Sequence, residues 1–123
     1  MREEQALVGE FAVRRPTMLE NNKNPQRMTD LLLMEVDELL VEIKAGNENK
    51  IAQELPDVVW FALTIANLYG IDLENALWAK AIRNDHKYPE ELFNNGMTYE
   101  DAYKLCRDNW DRDNDDNYTP EKI

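Results

Sequence analysis

Two pairs of acidic residues are the part of this sequence whose residue types and spacing could do chemistry. Glu35 and Glu38 form the first pair, and Glu54 and Asp57 form the second. Residues three positions apart lie on one face of an α-helix, and the segments around both pairs are strongly apolar. Carboxylates that converge at the edge of a core repel one another, so they must be protonated or neutralised. The pattern therefore predicts a site for a hard divalent cation, magnesium or in its place manganese, rather than for zinc.

The alternative is that these acids are ordinary solvated side chains. Acidic pairs at this spacing are common on helix surfaces, and the chain has 25 acidic against 14 basic residues, a formal net charge of −11. The protein would then be a helical interaction module without catalytic activity. Two pairs on successive helices, each within an apolar run, favour the metal site over this alternative.

The elements that must position these acids are helices. Hydrophobic periodicity, capping residues and glycine stops predict five helices, at about residues 3–14, 26–45, 49–69, 73–86 and 99–110. Pro16 and the segment 21–25 are expected to form a loop between the first two. The prediction is an all-α fold, a compact four- to five-helix bundle with the carboxylates on its two long helices, which are the second and third helices in this order.

Length and composition set further limits. A chain of 123 residues with 43% hydrophobic residues is expected to form one helical domain over residues 1–110, followed by an acidic polar tail over 111–123. The tail has the acidic rhythm of a calcium loop from Asp111, but Asp116 and Lys122 stand where that loop needs Gly and Glu. The start of the chain lacks the apolar stretch of a secretory signal, and one cysteine, Cys106, allows no intramolecular disulfide. We therefore expect an intracellular, cytoplasmic protein.

The charge also restricts the partners. An acidic surface repels polymeric nucleic acid, and the sequence has no Lys/Arg stripe to overcome that repulsion. No apolar run is long enough to span a membrane. A small polyanion that arrives with a metal cation is still compatible, because the carboxylates can hold the cation and the cation can hold the phosphates.

The order and spacing of the acids resemble a known signature. The sequence Glu35-Val-Asp-Glu38, followed by Glu54-Leu-Pro-Asp57, resembles the ExxE…ExxD motif of the MazG-like all-α nucleoside triphosphate pyrophosphatases. The segment from Lys80 to Lys87 is similar to the basic stretch that this family has on the following helix. The resemblance covers roughly residues 8–90.

The resemblance implies an enzyme that hydrolyses nucleoside triphosphates to the monophosphate and pyrophosphate with magnesium. By position it assigns the metal to Glu35, Glu38, Glu54 and Asp57. Of these, we expect Glu38 also to be catalytic, as the acceptor of the proton from the attacking water. It assigns the substrate phosphates to Lys80, Arg83, Asn84 and Lys87. Deoxynucleotides, a role in cleansing the nucleotide pool and a homodimer or homotetramer are also implied. A phosphoribosyl-ATP pyrophosphohydrolase of the same superfamily is the alternative enzyme.

One residue departs from the family pattern. Pro56 lies between Glu54 and Asp57, where the family often has a small residue. Either Pro56 lies inside the helix, removes a backbone hydrogen bond and changes the direction of Glu54, or the regular helix begins only near Leu55. Both possibilities affect the direction of the Glu54 carboxylate relative to Asp57.

Overall fold

A computed structural model describes residues 1–112, 115 and 117–123. These residues form seven helices and no strand, so the predicted all-α class is confirmed. An isolated bridge between Ile71 and Lys122 is the one β-type pairing in the described ranges. The helices are α1 Arg2–Val13, α2 Pro16–Asn21, α3 Pro25–Ala45, α4 Glu48–Tyr69, α5 Leu73–Lys87, α6 Glu90–Asn94 and α7 Tyr99–Asn109.

The five predicted helices are present. Two short helices were not predicted: α2 occurs where we expected a loop, and α6 lies between the fourth and fifth predicted helices. Pro16 is the first residue of α2, a position where its missing N–H costs nothing. Proline at this point therefore starts a short helix rather than preventing one. Within the described residues, no helix is both long and apolar enough to cross a membrane.

The chain divides into two compact units. The first contains Met1–Leu73 and Lys122–Ile123, and the second contains Glu74–Glu121. The division into residues 1–110 and a tail over 111–123 stays a prediction. Asp113, Asn114 and Asp116, the residues at the centre of the calcium-like pattern, lie outside the described residues.

In the first unit, the boundaries of the two long helices follow from local chemistry. The Asn24 side chain accepts a hydrogen bond from Arg27 N at 3.2 Å, and the Asn47 side chain accepts one from Lys50 N at 3.2 Å, so each asparagine caps a helix N-terminus. Gly46 ends α3 at φ +67°, a left-handed conformation that glycine adopts without a steric penalty. The two-residue connection Gly46–Asn47 makes α3 and α4 packed neighbours in a helical hairpin.

Helix α1 packs on α4 and on α2 in the first unit. Val8, Met28 and Leu63 are buried in this core, and Met28 is fully buried. Gln5, also buried, donates to Ile71 O at 2.7 Å and accepts from Leu73 N at 3.2 Å. These bonds satisfy a buried polar side chain and fix α1 to the segment that follows α4.

The second unit contains α5 from Glu74 onward, α6 and α7. Thr98 caps α7 by accepting a hydrogen bond from Asp101 N at 3.2 Å. Ala102 and Cys106 are the buried apolar residues of α7. An aromatic group joins the end of α5 to α7, with Tyr88 stacked on Tyr103 at 5.4 Å between ring centroids.

Candidate metal centre

Three carboxylates from the α3–α4 hairpin converge in the first unit. Glu35 and Glu38 lie one turn apart on α3, and Glu54 lies on α4. Each offers an oxygen atom, and these three oxygens lie within 4.8 Å of one another. Glu35 and Glu54 are half-buried, whereas Glu38 is exposed. The hairpin thus places acids from two helices close together, as the spacing in the sequence indicated. We call these three residues the carboxylate cluster.

Asp57 lies near the carboxylate cluster but outside the group of oxygens just described. Its charge nevertheless helps to raise the pKa of both Glu35 and Glu54, so it contributes to the same electrostatic field. Glu42, one turn beyond Glu38, also raises the pKa of Glu54. Helical spacing places Glu42 on the same face of α3 as Glu35 and Glu38, but no sequence pattern indicated a role for it.

The electrostatics of the carboxylate cluster oppose ionisation. Burial raises the pKa of Glu35 to about 7, and the hydrogen bond and negative charge of Glu38 add to this effect. Burial also raises the pKa of Glu54, followed by the charges of Glu38 and Asp57. Desolvation and repulsion both favour the protonated acid, and a cation placed among the oxygens would reverse that preference.

Two oxygens of the carboxylate cluster are buried without a partner. Glu35 Oε2 and Glu54 Oε2 accept no hydrogen bond from any described residue. No lysine or arginine in the described ranges forms an ion pair with either carboxylate. Unsatisfied buried acceptors are costly, and carboxylate oxygens are the donors that hard divalent cations prefer. The residues present therefore fit a metal ion.

Pro56 lies inside α4, which begins at Glu48. The first of the two possibilities considered for this residue is therefore the one observed. Proline has no N–H to donate to the carbonyl of Ala52, so one hydrogen bond of the helix is missing. Glu54 joins the carboxylate cluster all the same.

The four basic or amide residues assigned to the substrate lie on α5, in the second unit. Arg83 donates to Asp115 Oδ1 at 3.2 Å, and its guanidinium lies 4.6 Å from the Tyr118 ring centroid. Lys87 Nζ lies 5.6 Å from the ring centroids of both Tyr88 and Trp110. Lys80 is exposed, and Asn84 is half-buried. Arg83 is thus held by the C-terminal segment, a contact that the sequence did not predict.

Comparison with known proteins assigns a family. The model of the MazG nucleotide pyrophosphohydrolase domain matches residues 23–88, which is more than half of the chain. The chain belongs to this family. The matched residues include the carboxylate cluster, Asp57 and the four assigned residues of α5. The family resemblance stated from the sequence is therefore confirmed.

Membership supports nucleotide pyrophosphohydrolase activity in general, hence an enzyme of the hydrolase class. The comparisons with curated proteins and with solved structures found no match. Residues 89–123 follow the matched segment.

Proposed function

We propose that this chain is a magnesium-dependent nucleoside triphosphate pyrophosphohydrolase that cleaves the bond between the α- and β-phosphates. The observation that carries the proposal is the pair of buried, unpartnered oxygens on Glu35 and Glu54, within the carboxylate cluster of a MazG-family chain. Neither oxygen accepts a hydrogen bond from a described residue, and a cation would satisfy both.

Glu35, Glu38 and Glu54 would hold the metal, with Asp57 as a further ligand. When bound, magnesium or manganese would offset the negative charge of the triphosphate and of the departing pyrophosphate. The carboxylate cluster would in turn fix the position of the cation because Glu35 and Glu54 are half-buried on two packed helices.

Glu38 is our candidate for the catalytic base. It is the exposed member of the carboxylate cluster, so its carboxylate is the most accessible of the three to a water molecule. Its oxygen would accept a proton as water attacks the α-phosphorus, the new P–O bond forms and the bond to the β-phosphate oxygen breaks. General-base assistance of this kind contributes about 10²–10⁴-fold to a rate.

Lys80, Asn84 and Lys87 would bind the phosphate oxygens, and Arg83 would join them on releasing Asp115. The cationic side chains suit phosphate chemically. We further propose deoxynucleoside triphosphates as substrates, a role in cleansing the nucleotide pool, and the cytoplasm as the location.

We also propose a homodimer or homotetramer. An apolar groove of about 590 Å³ in the first unit supports this proposal. Leu7, Leu55 and Val59 line it and are each more than 40% exposed. Burying these side chains against a second copy would remove apolar surface from water.

The test is pyrophosphate release from the canonical ribo- and deoxyribonucleoside triphosphates and from phosphoribosyl-ATP, with magnesium or with EDTA. Glu38→Gln keeps the side-chain volume and removes the charge, and we expect it to lower the rate at least 100-fold. Asp37→Asn is the matched control, because Asp37 is an exposed neighbour on the same helix; its rate should stay within twofold of the original.

Each alternative gives a different result. Release from phosphoribosyl-ATP alone would assign the related pyrophosphohydrolase activity instead. A folded chain that releases no pyrophosphate and is not stabilised by magnesium would contradict the enzyme and favour the interaction module. Full activity of Glu38→Gln would remove Glu38 from its role without affecting the reaction class.

A further inference from the structure

The second unit contains a small polar cavity that shares only Lys87 with the residues proposed to bind the substrate. Its volume is about 270 Å³, and it is lined by Lys87, Arg107, Trp110, Arg112 and Asp115. All but Lys87 follow the residues matched by the family model. We call it the cationic cavity, because three of its five lining residues carry a positive charge.

The one acid in the cationic cavity is already engaged. Asp115 Oδ1 accepts from Arg83 at 3.2 Å, and its Oδ2 accepts from the indole Nε1 of Trp110 at 3.0 Å. The Arg83 guanidinium therefore offsets the Asp115 charge, and Lys87, Arg107 and Arg112 are the other charged residues of the lining.

The three cations have no carboxylate partner among the described residues. Arg107 donates to the hydroxyl of Tyr103 at 2.9 Å, and Lys87 lies beside aromatic rings. By contrast, Lys104 on the same helix as Arg107 pairs with Asp108 at 2.8 Å. Cations that line a shared cavity and form no ion pair with any described residue can bind an external anion.

The chemistry of the lining identifies the anion. Arginine presents several N–H donors in a planar fork that matches the oxygens of a phosphoryl group, and lysine adds a point charge. A volume of about 270 Å³ lies just below the range of about 300–1,000 Å³ typical of drug-sized ligands. The cavity therefore suits a compact phosphoryl group better than a whole nucleotide.

We propose that the cationic cavity binds a di- or triphosphate group through Lys87, Arg107 and Arg112. Two sources share this chemistry, namely free inorganic pyrophosphate and the phosphate chain of a nucleotide. The site is built within the second unit alone and needs neither the carboxylate cluster nor its metal. Its test can therefore fail or succeed independently of the proposed hydrolysis.

The experiment is isothermal titration calorimetry of the full chain in EDTA, with inorganic pyrophosphate in one arm and a triphosphate analogue with a non-hydrolysable α–β bridge in the other. We expect binding of one anion per chain. Arg107→Gln combined with Arg112→Gln should weaken it at least tenfold, because each loses a charge-assisted hydrogen bond. Arg112→Gln alone should weaken binding severalfold. Because the Arg112 side chain makes no hydrogen bond to a described residue, this single variant should fold even if the double variant does not.

The matched control is Arg14→Gln combined with Arg27→Gln, two exposed arginines of the first unit. It changes the net charge equally and should retain affinity within twofold. If pyrophosphate binds and the double variant loses this binding, the site is supported with free pyrophosphate as its ligand. If only the analogue binds and the double variant loses that binding, the site is supported with a nucleotide as its ligand. No binding in either arm, unchanged affinity in both cavity variants, or an equal loss in the control overturns the proposal.

Discussion

The carboxylate cluster of the first unit and the cationic cavity of the second each contain side chains of like charge. The two sites differ in the groups that surround these charges. Beside the cationic cavity, Arg83 forms an ion pair with Asp115, and aromatic rings lie near Lys87. In the carboxylate cluster, no described cation is paired with Glu35 or Glu54, and each has a buried oxygen without a partner. The electrostatics of the acids are therefore the less favourable, and binding of an external ion should stabilise the acids more than the cations.

The difference predicts opposite effects of removing a charge. Taking one acid from the carboxylate cluster relieves repulsion and desolvation, so the metal-free protein should become more stable. Removing the charge of Arg83 breaks its favourable ion pair with Asp115 beside the cationic cavity, so the free energy of unfolding should fall. The following predictions test this contrast, from the largest expected effect to the smallest.

Magnesium should raise the free energy of unfolding by about 2.7 kcal/mol at a concentration one hundred times its dissociation constant. The reason is that the folded chain alone brings the three carboxylates together. Thermal unfolding with magnesium, compared with a sodium salt of equal ionic strength, measures this effect. An equal rise with sodium would mean that only general screening acts on these acids.

Glu54→Gln should raise the melting temperature of the metal-free protein and abolish the additional stabilisation by magnesium. The variant removes a charge whose ionisation is opposed by burial and by Glu38, and it also removes a metal ligand. Thermal melts in EDTA and in magnesium measure both changes. Asp37→Asn serves as the control, and a lower melting temperature of Glu54→Gln in EDTA would contradict the repulsion that we infer.

The stability of the metal-free protein should fall as the pH rises from about 4.5 to about 7. The folded pKa of Glu35, about 7, lies above its ordinary value of 4.5, so the folded chain binds more protons than the unfolded chain in this window. The contribution is present below pH 4.5 and is lost as the pH passes 7. Chemical denaturation across this range measures it, and Glu35→Gln should flatten the dependence. Identical pH profiles for the two proteins would contradict the raised pKa.

Arg83→Gln should lower the free energy of unfolding by only about 0.5–1 kcal/mol, because its ion pair with Asp115 at 3.2 Å is partly exposed. Urea denaturation measures this small loss, and Lys104→Gln, which breaks a more exposed pair with Asp108, should lose less. A gain in stability for Arg83→Gln would contradict the contrast that we draw between this ion pair and the carboxylate cluster.

The sequence predicted the long helices well because their signals are local. Asn24, Asn47 and Gly46 mark helix ends through their own side chains or backbone conformation, and the interiors are strongly periodic. The short helices α2 and α6 were not predicted. At five or six residues each, they contain too few turns to show a hydrophobic period, and Pro16 indicated a loop.

The same distinction applies to the sites. Glu35, Glu38 and Glu54 could be predicted to converge because helical spacing and a short turn bring them together. Arg107 and Arg112 could not, because the approach of these residues to Lys87 depends on the path of the chain after α6, which no repeating pattern encodes. Asp57 shows the limit of spacing alone, since it shares the face of Glu54 but lies outside the carboxylate cluster.

Pro56 has a consequence for the motions of α4. The missing bond between residue 56 and the Ala52 carbonyl leaves the first two turns, Glu48 to Leu55, connected to the rest of the helix by one hydrogen bond fewer. These turns can open locally at a lower free-energy cost than an unbroken helix would require. Their amides should exchange with solvent deuterium faster than those after Pro56. Since Glu54 lies in this stretch, a bound cation would slow that exchange and make the N-terminal end of α4 a reporter of occupancy.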